Sequence, residues 1–424
     1  MTKHILIAAL GDHPTVVPAM VKALRDFENI HIDELHLLYS RDPALAIEQQ
    51  EVILIQQYLQ DVCVVHPEPL DFPDPNTAAL SFSFLRRLSQ VMAQYQNLET
   101  HRLYLSVAGG RKNTAVLLAL TTQFFPTVQG LYHLIDKLEA KRYPTFPTAE
   151  DILNGSMTAE EIAKAMNPPS ENMKLVNLPY LGPFADAQVL WSFLSDGSPS
   201  TPSAAITLTP QAEYFFRNVF DSDKNENRLV EADGDSAREY VLLVPLGKTP
   251  MIATQTYTLL QQQEGVTISA VAILYPRQNP VIDNAANLLK EQFENKGVTF
   301  HQFPIANLKD IDSYLNAETY LTELLQTINI LRQQYPQHKI ALSLSGGRKG
   351  MSALALFAAQ RAGIDHVYHT LIADPHLERK IENETTYASL QKLATDEERA
   401  QRLFLDAYPH EAFTLFPIPI IPFA

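Results

Sequence analysis

Apolar residues fall in short runs separated by longer stretches of helical period, and this alternation continues along most of the chain. In the first half, runs at 5–10, 34–39, 63–66, 102–107 and 130–135 predict strands. Helical spacing over 16–27, 44–60, 79–94 and 114–124 predicts the helices between them. The second half repeats the scheme, with strands expected at 240–246, 268–275, 298–303, 339–344 and 366–371. Its helices are expected at 251–264, 280–296, 317–335 and 351–362. Strands that are nearly all apolar, alternating with helices, imply an α/β fold with a mainly parallel sheet covered on both faces. Ligands of such sheets bind beyond the carboxyl ends of the strands, near the point where strand order reverses.

The two halves are copies. Leu105-Ser106-Val107-Ala108-Gly109-Gly110-Arg111-Lys112 returns as Leu342-Ser343-Leu344-Ser345-Gly346-Gly347-Arg348-Lys349, at an offset of 237. Residues 5–14 align with 241–250, 38–41 with 274–277 and 132–135 with 368–371, all at an offset of 236. The block 178–184 resembles 418–423 at about 240. A near-constant offset over separate blocks predicts domains at 1–184 and 238–424, joined by a linker over 185–237. That linker contains Ser-Asp-Gly-Ser-Pro-Ser-Thr-Pro-Ser at 195–203, which cannot form a packed element, and one helical stretch at 210–220 behind Thr209 as N-cap.

Charge narrows the partners. The 424 residues carry a formal net charge of −15, and an acidic surface opposes long nucleic acid, which is held mainly by phosphate electrostatics. A polyanionic ligand is therefore expected to be small and held in a local basic pocket. The single cysteine, Cys63, excludes an internal disulfide and a cysteine-based zinc site, and its apolar surroundings predict a buried thiol. No apolar run approaches the ~20 residues needed to span a bilayer. The chain enters a strand almost at once, so neither a membrane partner nor a signal peptide is expected, and the location is expected to be cytoplasmic.

Each repeated motif follows a strand and opens a helix. Gly109 and Gly110, like Gly346 and Gly347, let the backbone approach a ligand. The helix N-terminus adds N–H groups, and Arg111-Lys112 and Arg348-Lys349 add positive charge, which together favour an anion. An arginine–lysine pair at the positive end of a helix is unfavourable without such an anion. The loops after the first strand of each half, 11–15 and 247–250, are expected to open on the same edge. The dinucleotide pattern G-x-G-x-x-G and the P-loop pattern are both absent.

A strand ending in Ser-x-x-Gly-Gly-Arg-Lys-x-x-Ser, paired with a ligand loop after the first strand, resembles the CRISPR-associated Rossmann fold (CARF) domain. Ser352 completes that pattern in the second half, whereas Asn113-Thr114-Ala115 departs from it in the first. The proline-rich apolar tails of the halves are similar to those of stand-alone ring nucleases. This resemblance implies two Rossmann-like CARF domains arranged as an intramolecular pseudo-dimer, a monomer that need not pair, with a homodimer as the alternative. It implies cyclic tetra-adenylate as ligand, the messenger of type III CRISPR systems. Four phosphates would meet Arg111-Lys112 from one side and Arg348-Lys349 from the other. No cofactor and no metal are expected.

Within that reading Lys112 and Lys349 contact phosphate and the charge that develops during cleavage, while Arg111 and Arg348 either bind phosphate too or pair with a structural carboxylate. Gly11, Asp12, Thr15, Gly247, Lys248 and Thr249 line the ligand from the first loops, joined by Ser345 from the second motif. Asp12-His13 in one half stands against Lys248-Thr249 in the other, so the chemistry is expected to be asymmetric. Ring opening needs a ribose 2′-hydroxyl to attack its neighbouring phosphate in line, which positioning and charge stabilisation can support without a metal. His13 is the candidate general base, set against a plainly structural loop histidine. His133 and His369, on the fifth strands, read as structural. Ser106 and Ser343 are expected to hydrogen-bond the turns.

No effector domain stands out. Arg361 and His366 have the spacing of a HEPN ribonuclease motif but bridge a helix and a strand, and Glu294-Asn295-Lys296 lies on a predicted helix rather than the strand a nuclease core requires. Three functions remain: a ring nuclease that ends signalling, a non-catalytic sensor or scaffold that relays ligand binding to a partner, and a small-molecule enzyme acting on another nucleotide.

Overall fold

The structure is a computed structural model and describes residues 2–40, 46–72, 75–137, 146–182, 239–372 and 374–420. The linker expected over 185–237, with its helix at 210–220, lies outside them. The chain divides into two compact units that follow the two halves, with residues 76–78 grouped with the second and 312–315 with the first.

The first unit runs β1 (Lys3–Ala9), α1 (Val16–Glu28), β2 (Glu34–Ser40), α2 (Ala46–Leu59), β3 (Val64–Leu70), α3 (Ala78–Met92), β4 (His101–Ser106), α4 (Lys112–Thr121), β5 (Val128–Asp136), α5 (Ala149–Leu153), α6 (Ala159–Met166) and β6 (Met173–Leu178). The second runs β7 (Glu239–Pro245), α7 (Met251–Gln263), β8 (Thr267–Pro276), α8 (Pro280–Asn295), β9 (Thr299–Ile305), α9 (Tyr314–Gln334), β10 (Lys339–Ser343) and α10 (Lys349–Arg361). It continues with β11 (His366–Ile372), α11 (Pro375–Glu384), α12 (Tyr387–Leu390), α13 (Asp396–Leu403) and β12 (Phe413–Pro417).

Each unit is a six-stranded sheet, in the order β3-β2-β1-β4-β5-β6 in the first and β9-β8-β7-β10-β11-β12 in the second. Five strands of each are parallel, and the last is antiparallel to its neighbour. This is the expected doubly wound α/β architecture. Strand order reverses between β1 and β4, and again between β7 and β10. The central strands have no exposed face: Ile5, Leu6 and Ile7 are wholly buried, as are Val241 through Val244. Full cover on both sides explains why they read as unbroken apolar runs.

The ten parallel strands and the eight helices α1–α4 and α7–α10 fall where the periodicity puts them, within a few residues. The antiparallel strands β6 and β12 were not expected, nor were the short helices before them. Those helices are set locally. Thr148 and Asp151, Thr158 and Glu161, and Thr395 and Glu398 form capping boxes at the starts of α5, α6 and α13.

The outer parallel strand of each sheet carries proline. Pro67 and Pro69 lie in β3, and pairing with β2 runs through both. Their missing N–H groups therefore belong to the unpaired outer side, where a strand tolerates proline. Pro304 occupies the like position in β9.

Candidate functional site: the paired glycine loops

Parallel pairing of Ala8 with Ser106 makes β1 and β4 end together, so their loops leave the sheet side by side. At that point backbone touches backbone. A Cβ added to Gly11 would lie 2.8 Å from the Gly110 Cα, and one added to Gly109 would lie 2.0 Å from the Ala9 carbonyl oxygen. The second unit repeats the contact, with 2.7 Å from Gly247 to the Gly347 Cα and 1.7 Å from Gly346 to the Pro245 oxygen. Gly110 and Gly347 also hold positive φ, +62° and +71°, which a side chain strains. At Gly11, Gly109, Gly247 and Gly346 no other residue type fits without moving main chain, and at Gly110 and Gly347 the positive φ favours glycine, so the glycines shape both loops at the switch point.

The turns deliver the cations where the sequence places them. Arg111 and Arg348 are extended N-cap residues, and Lys112 and Lys349 open α4 and α10. Arginine has no side-chain oxygen with which to cap a helix, and neither first turn contains an acidic residue. The positive end of each helix dipole therefore adds to the charge of the side chains instead of being offset within its own turn. Behind this start both helices are buried on every side, from Asn113 to Thr121 and from Gly350 to Gln360. An all-round apolar helix is anchored along its length, which fixes the position of its first turn.

The remaining predicted site residues separate into those at the surface and those inside. Asp12, His13 and Lys248 are exposed, with Gly11, Gly247 and Thr249 half-buried beside them. The Asp12 carbonyl accepts a hydrogen bond from the Ala149 N–H at 2.8 Å, tying this loop to the start of α5. Thr15 is fully buried and its Oγ1 has no hydrogen-bond partner. Ser345 is also internal, at 2% exposure; its Oγ accepts from the Thr370 N–H at 2.6 Å and lies 3.2 Å from His369 Nδ1. Neither hydroxyl is presented on the surface as the exposed first-loop side chains are.

Several residues that shape the site escaped the sequence reading. Arg348 Nε pairs with Asp310 Oδ2 at 3.0 Å, a carboxylate from the loop after β9. The Asn113 amide donates to the Pro75 carbonyl at 3.1 Å, while its oxygen accepts from the Thr114 N–H at 2.8 Å. The Thr114 hydroxyl donates to the Arg111 carbonyl at 2.7 Å. Ser352, noted only as a motif residue, donates to the Leu344 carbonyl at 2.7 Å and so fastens α10 to the end of β10. A long contact joins the Ala108 N–H to Ser106 Oγ, 3.3 Å, and another the Ser345 N–H to Ser343 Oγ, 3.4 Å, as turn serines should.

His133 and His369 are both buried, and His369 packs edge-on against Phe416. Cys63 is buried as expected; burial, with a smaller push from the Asp33 charge, raises its thiol to about 11. Arg361 and His366 flank the turn between α10 and β11, and Glu294-Asn295 closes α8. No described helix is long and apolar enough to cross a membrane.

Fold and loops together define a tandem pair of Rossmann-like units, each with a cationic glycine turn at its switch point. The family model described as CRISPR-associated protein NE0113 matches residues 13–191 and 249–424, most of both halves. The chain belongs to that CRISPR-associated family. No curated protein gives a match. Among solved structures, a type III CRISPR defence DNA nuclease activated by cyclic oligoadenylate is 13% identical, with a TM-score of 0.44 over 87% of this chain and 65% of the nuclease. Enterococcus italicus Csm6 bound to cyclic hexa-2′-fluoro-hexa-dAMP is 14% identical, with a TM-score of 0.32 over 46% of each chain. The UDP-GlcNAc 2-epimerase of Neisseria meningitidis bound to UDP-GlcNAc is 9% identical, with a TM-score of 0.21 over 95% of this chain and 94% of the epimerase. This chain thus spans less than two thirds of the nuclease and under half of Csm6.

Proposed function

We propose that this protein is a CARF-type ring nuclease that binds cyclic tetra-adenylate and cleaves it to linear di-adenylate, ending type III CRISPR signalling. The observation that carries the reading is the duplicated turn: two glycines at backbone contact, then arginine and lysine at an anchored helix start with no acid in its first turn. Membership in a CRISPR-associated family supports it. Such a turn suits a phosphodiester, because the backbone can approach the oxygens while the helix N-terminus and lysine supply positive potential.

The chemistry follows from ribose. The 2′-oxygen attacks the adjacent phosphorus, a P–O2′ bond forms, the P–O5′ bond breaks and the departing O5′ takes a proton. The product end is a 2′,3′-cyclic phosphate. Lys112 and Lys349 stabilise charge on the phosphoryl oxygens, Arg111 holds phosphate, Arg348 does so with its Nε engaged by Asp310, and the glycine turns keep attacking and leaving oxygens in line. His13, exposed on the first loop, removes the 2′-hydroxyl proton. Lys248 and Thr249 take ribose or phosphate in the second unit. Ser345 and Thr15, being internal, serve the shape of the loops.

The test is to incubate purified protein with labelled cyclic tetra-adenylate in EDTA and follow the linear product. Turnover that is lost in Lys112→Ala or Lys349→Ala, with the fold intact, supports the proposal. Tight binding without turnover overturns the enzyme reading in favour of a sensor. Ligand stoichiometry per chain reports whether one ring occupies both loops.

A further inference from the structure

The first unit holds a second cluster of chemistry-bearing side chains, on strands and remote in sequence from the glycine loops. His36 on β2 pairs in register with His66 on β3. Residues two apart on a strand share a face, so Glu34 lies on the face of His36, and Glu68 on that of His66. The His36 and His66 rings stack at 4.7 Å with 17° between their planes. Tyr95, in the 3-10 turn after α3, and Arg87, on α3, reach the same cluster.

The hydrogen bonds orient one nitrogen of His36 outward from its carboxylate partner. His36 Nδ1 lies 2.7 Å from Glu68 Oε1, and the other Glu68 oxygen accepts from Arg87 at 2.5 Å. The Glu68 carboxylate, held on its other oxygen by Arg87, accepts the hydrogen bond from Nδ1–H, so a neutral His36 presents Nε2 as its lone-pair nitrogen. A carboxylate behind a histidine, fixing its tautomer in this way, is the arrangement that commonly supports a metal-binding imidazole.

In front of Nε2 the protons are too few. The Tyr95 hydroxyl lies 2.6 Å from His36 Nε2 and 2.6 Å from Glu34 Oε2. With His36 neutral it has one proton for these two acceptors. His66 Nε2 lies 3.5 Å from the same Glu34 oxygen, is buried as an atom and makes no hydrogen bond. Lys3 binds Glu34 Oε1 at 2.5 Å and leaves Oε2 facing the cluster. One ligand atom each from Glu34, His36 and His66 lies within 4.8 Å of the other two. Bonds of about 2.0–2.1 Å in a tetrahedron need ligand atoms about 3.3 Å apart, a contraction that the partly exposed His66 and Glu34 side chains can supply.

The second unit is the internal control. In register terms Ala270 and Ala272 stand where the first unit has Glu34 and His36, and Phe303 stands for Glu68. The pair His301 and Tyr335 remains, at 2.6 Å. His301 is the register counterpart of His66, so in the second unit the tyrosine bonds the histidine of the outer strand. In the first, Tyr95 bonds His36 of β2 and leaves His66 Nε2 without a hydrogen bond. Both carboxylates and the β2 histidine occur in the first unit only.

We propose that Glu34, His36 and His66 bind one divalent transition-metal ion, Zn(II) by ligand chemistry, with Glu68 orienting His36 and Tyr95 next to the fourth position. Two histidines and one carboxylate are an established zinc donor set, and imidazole selects against magnesium and calcium. The ion clamps the outer strand β3 to β2. This proposal stands apart from the ring-nuclease reading and does not require it.

The experiment uses the full chain, stripped of metal, titrated with Zn(II) in a calorimeter and with Co(II) followed by its visible absorption. The chain has 13 histidines, so weak binding elsewhere is expected and variants carry the decision. One tight equivalent is expected, with a tetrahedral Co(II) spectrum and a raised melting temperature. His66→Ala and Glu34→Gln, both partly exposed, should each weaken the tight equivalent at least about 10-fold, and Glu68→Gln should weaken it about 10–100-fold through His36. Circular dichroism confirms that each variant is folded. Absence of a tight equivalent in the parent protein overturns the site, as does an unchanged affinity and Co(II) spectrum in His66→Ala.

Discussion

In the first unit Gly110 is backed by Thr114, and a Cβ at the glycine would meet that hydroxyl at 2.3 Å; in the second, Gly347 is backed by Met351, whose sulfur would be met at 2.5 Å. The loops have the same glycine contacts and the same sign of φ, yet one rests on a hydroxyl that holds the Arg111 carbonyl and the other on a thioether. The contrast separates what the turn requires from what it tolerates. Backbone shape demands glycine at all three positions, while the material behind it is replaceable. Away from the loops the divergence is larger, since the outer strands of the first sheet carry Glu34, His36 and Glu68 where the second has alanine and phenylalanine.

The strongest way to break this comparison is at the glycines. Gly109→Ala and Gly346→Ala each drive a methyl into a main-chain oxygen and should cost about 3 kcal/mol or more, at the upper end for overpacking. Urea unfolding measures both, and a large cost in one unit with none in the other would show that the loops are not equivalent. Next come the lysines. Lys112→Ala and Lys349→Ala should leave stability nearly unchanged and weaken cyclic tetra-adenylate binding at least about 10-fold each, as expected for a charge-assisted contact of about 1.5–3 kcal/mol. Equal loss of binding with unequal loss of turnover would sharpen the contrast between Asp12-His13 and Lys248-Thr249.

A smaller effect is expected at Ser345, whose counterpart is Ala108. Ser345→Ala removes the acceptor for the Thr370 N–H and should cost about 1–3 kcal/mol in denaturant melts, with ligand affinity moving far less. The smallest effect is on acid stability. Glu68 and Glu34 are held below the ordinary glutamate value: burial opposes this, but bonds from His36 and charge from Arg87 lower Glu68, and Lys3 and Tyr95 lower Glu34. Lowered folded-state values mean stability that is complete above the ordinary carboxylate range and is lost as pH falls through the folded value. Hydrogen exchange on acidification should therefore open β2 and β3 early, and Glu68→Gln should flatten that dependence.

The central parallel strands were legible because full burial leaves no polar alternation to confuse them, whereas the half-exposed outer strands β3 and β9 carry a weaker signal. β6 and β12 were not, since each follows short capped helices and has only six and five residues, too few to establish a period. The glycine, arginine and lysine positions were legible because their chemistry lies in one contiguous run. Asp310 was not: it meets Arg348 only because the loop after β9 returns to the switch point. The burial of Ser345 and Thr15 was equally hidden, since sequence places a hydroxyl on a loop without saying which way the loop turns it. The histidine–carboxylate cluster is the extreme case. Its members sit at 34, 36, 66 and 68 on two strands, and register alone makes them neighbours.

Pro67, Pro69 and Pro304 bear on how such a chain is made. Two homologous sheets on one polypeptide invite mispairing during synthesis, because a strand of one copy is a fair substitute for its counterpart in the other. The outer parallel strands are where a foreign strand would add, and prolines there remove donors it would need. The far edges are occupied by the antiparallel strands β6 and β12, each drawn from its own half. Each copy thus carries its own barrier to recruiting the other, and duplication need not lead to tangled assembly.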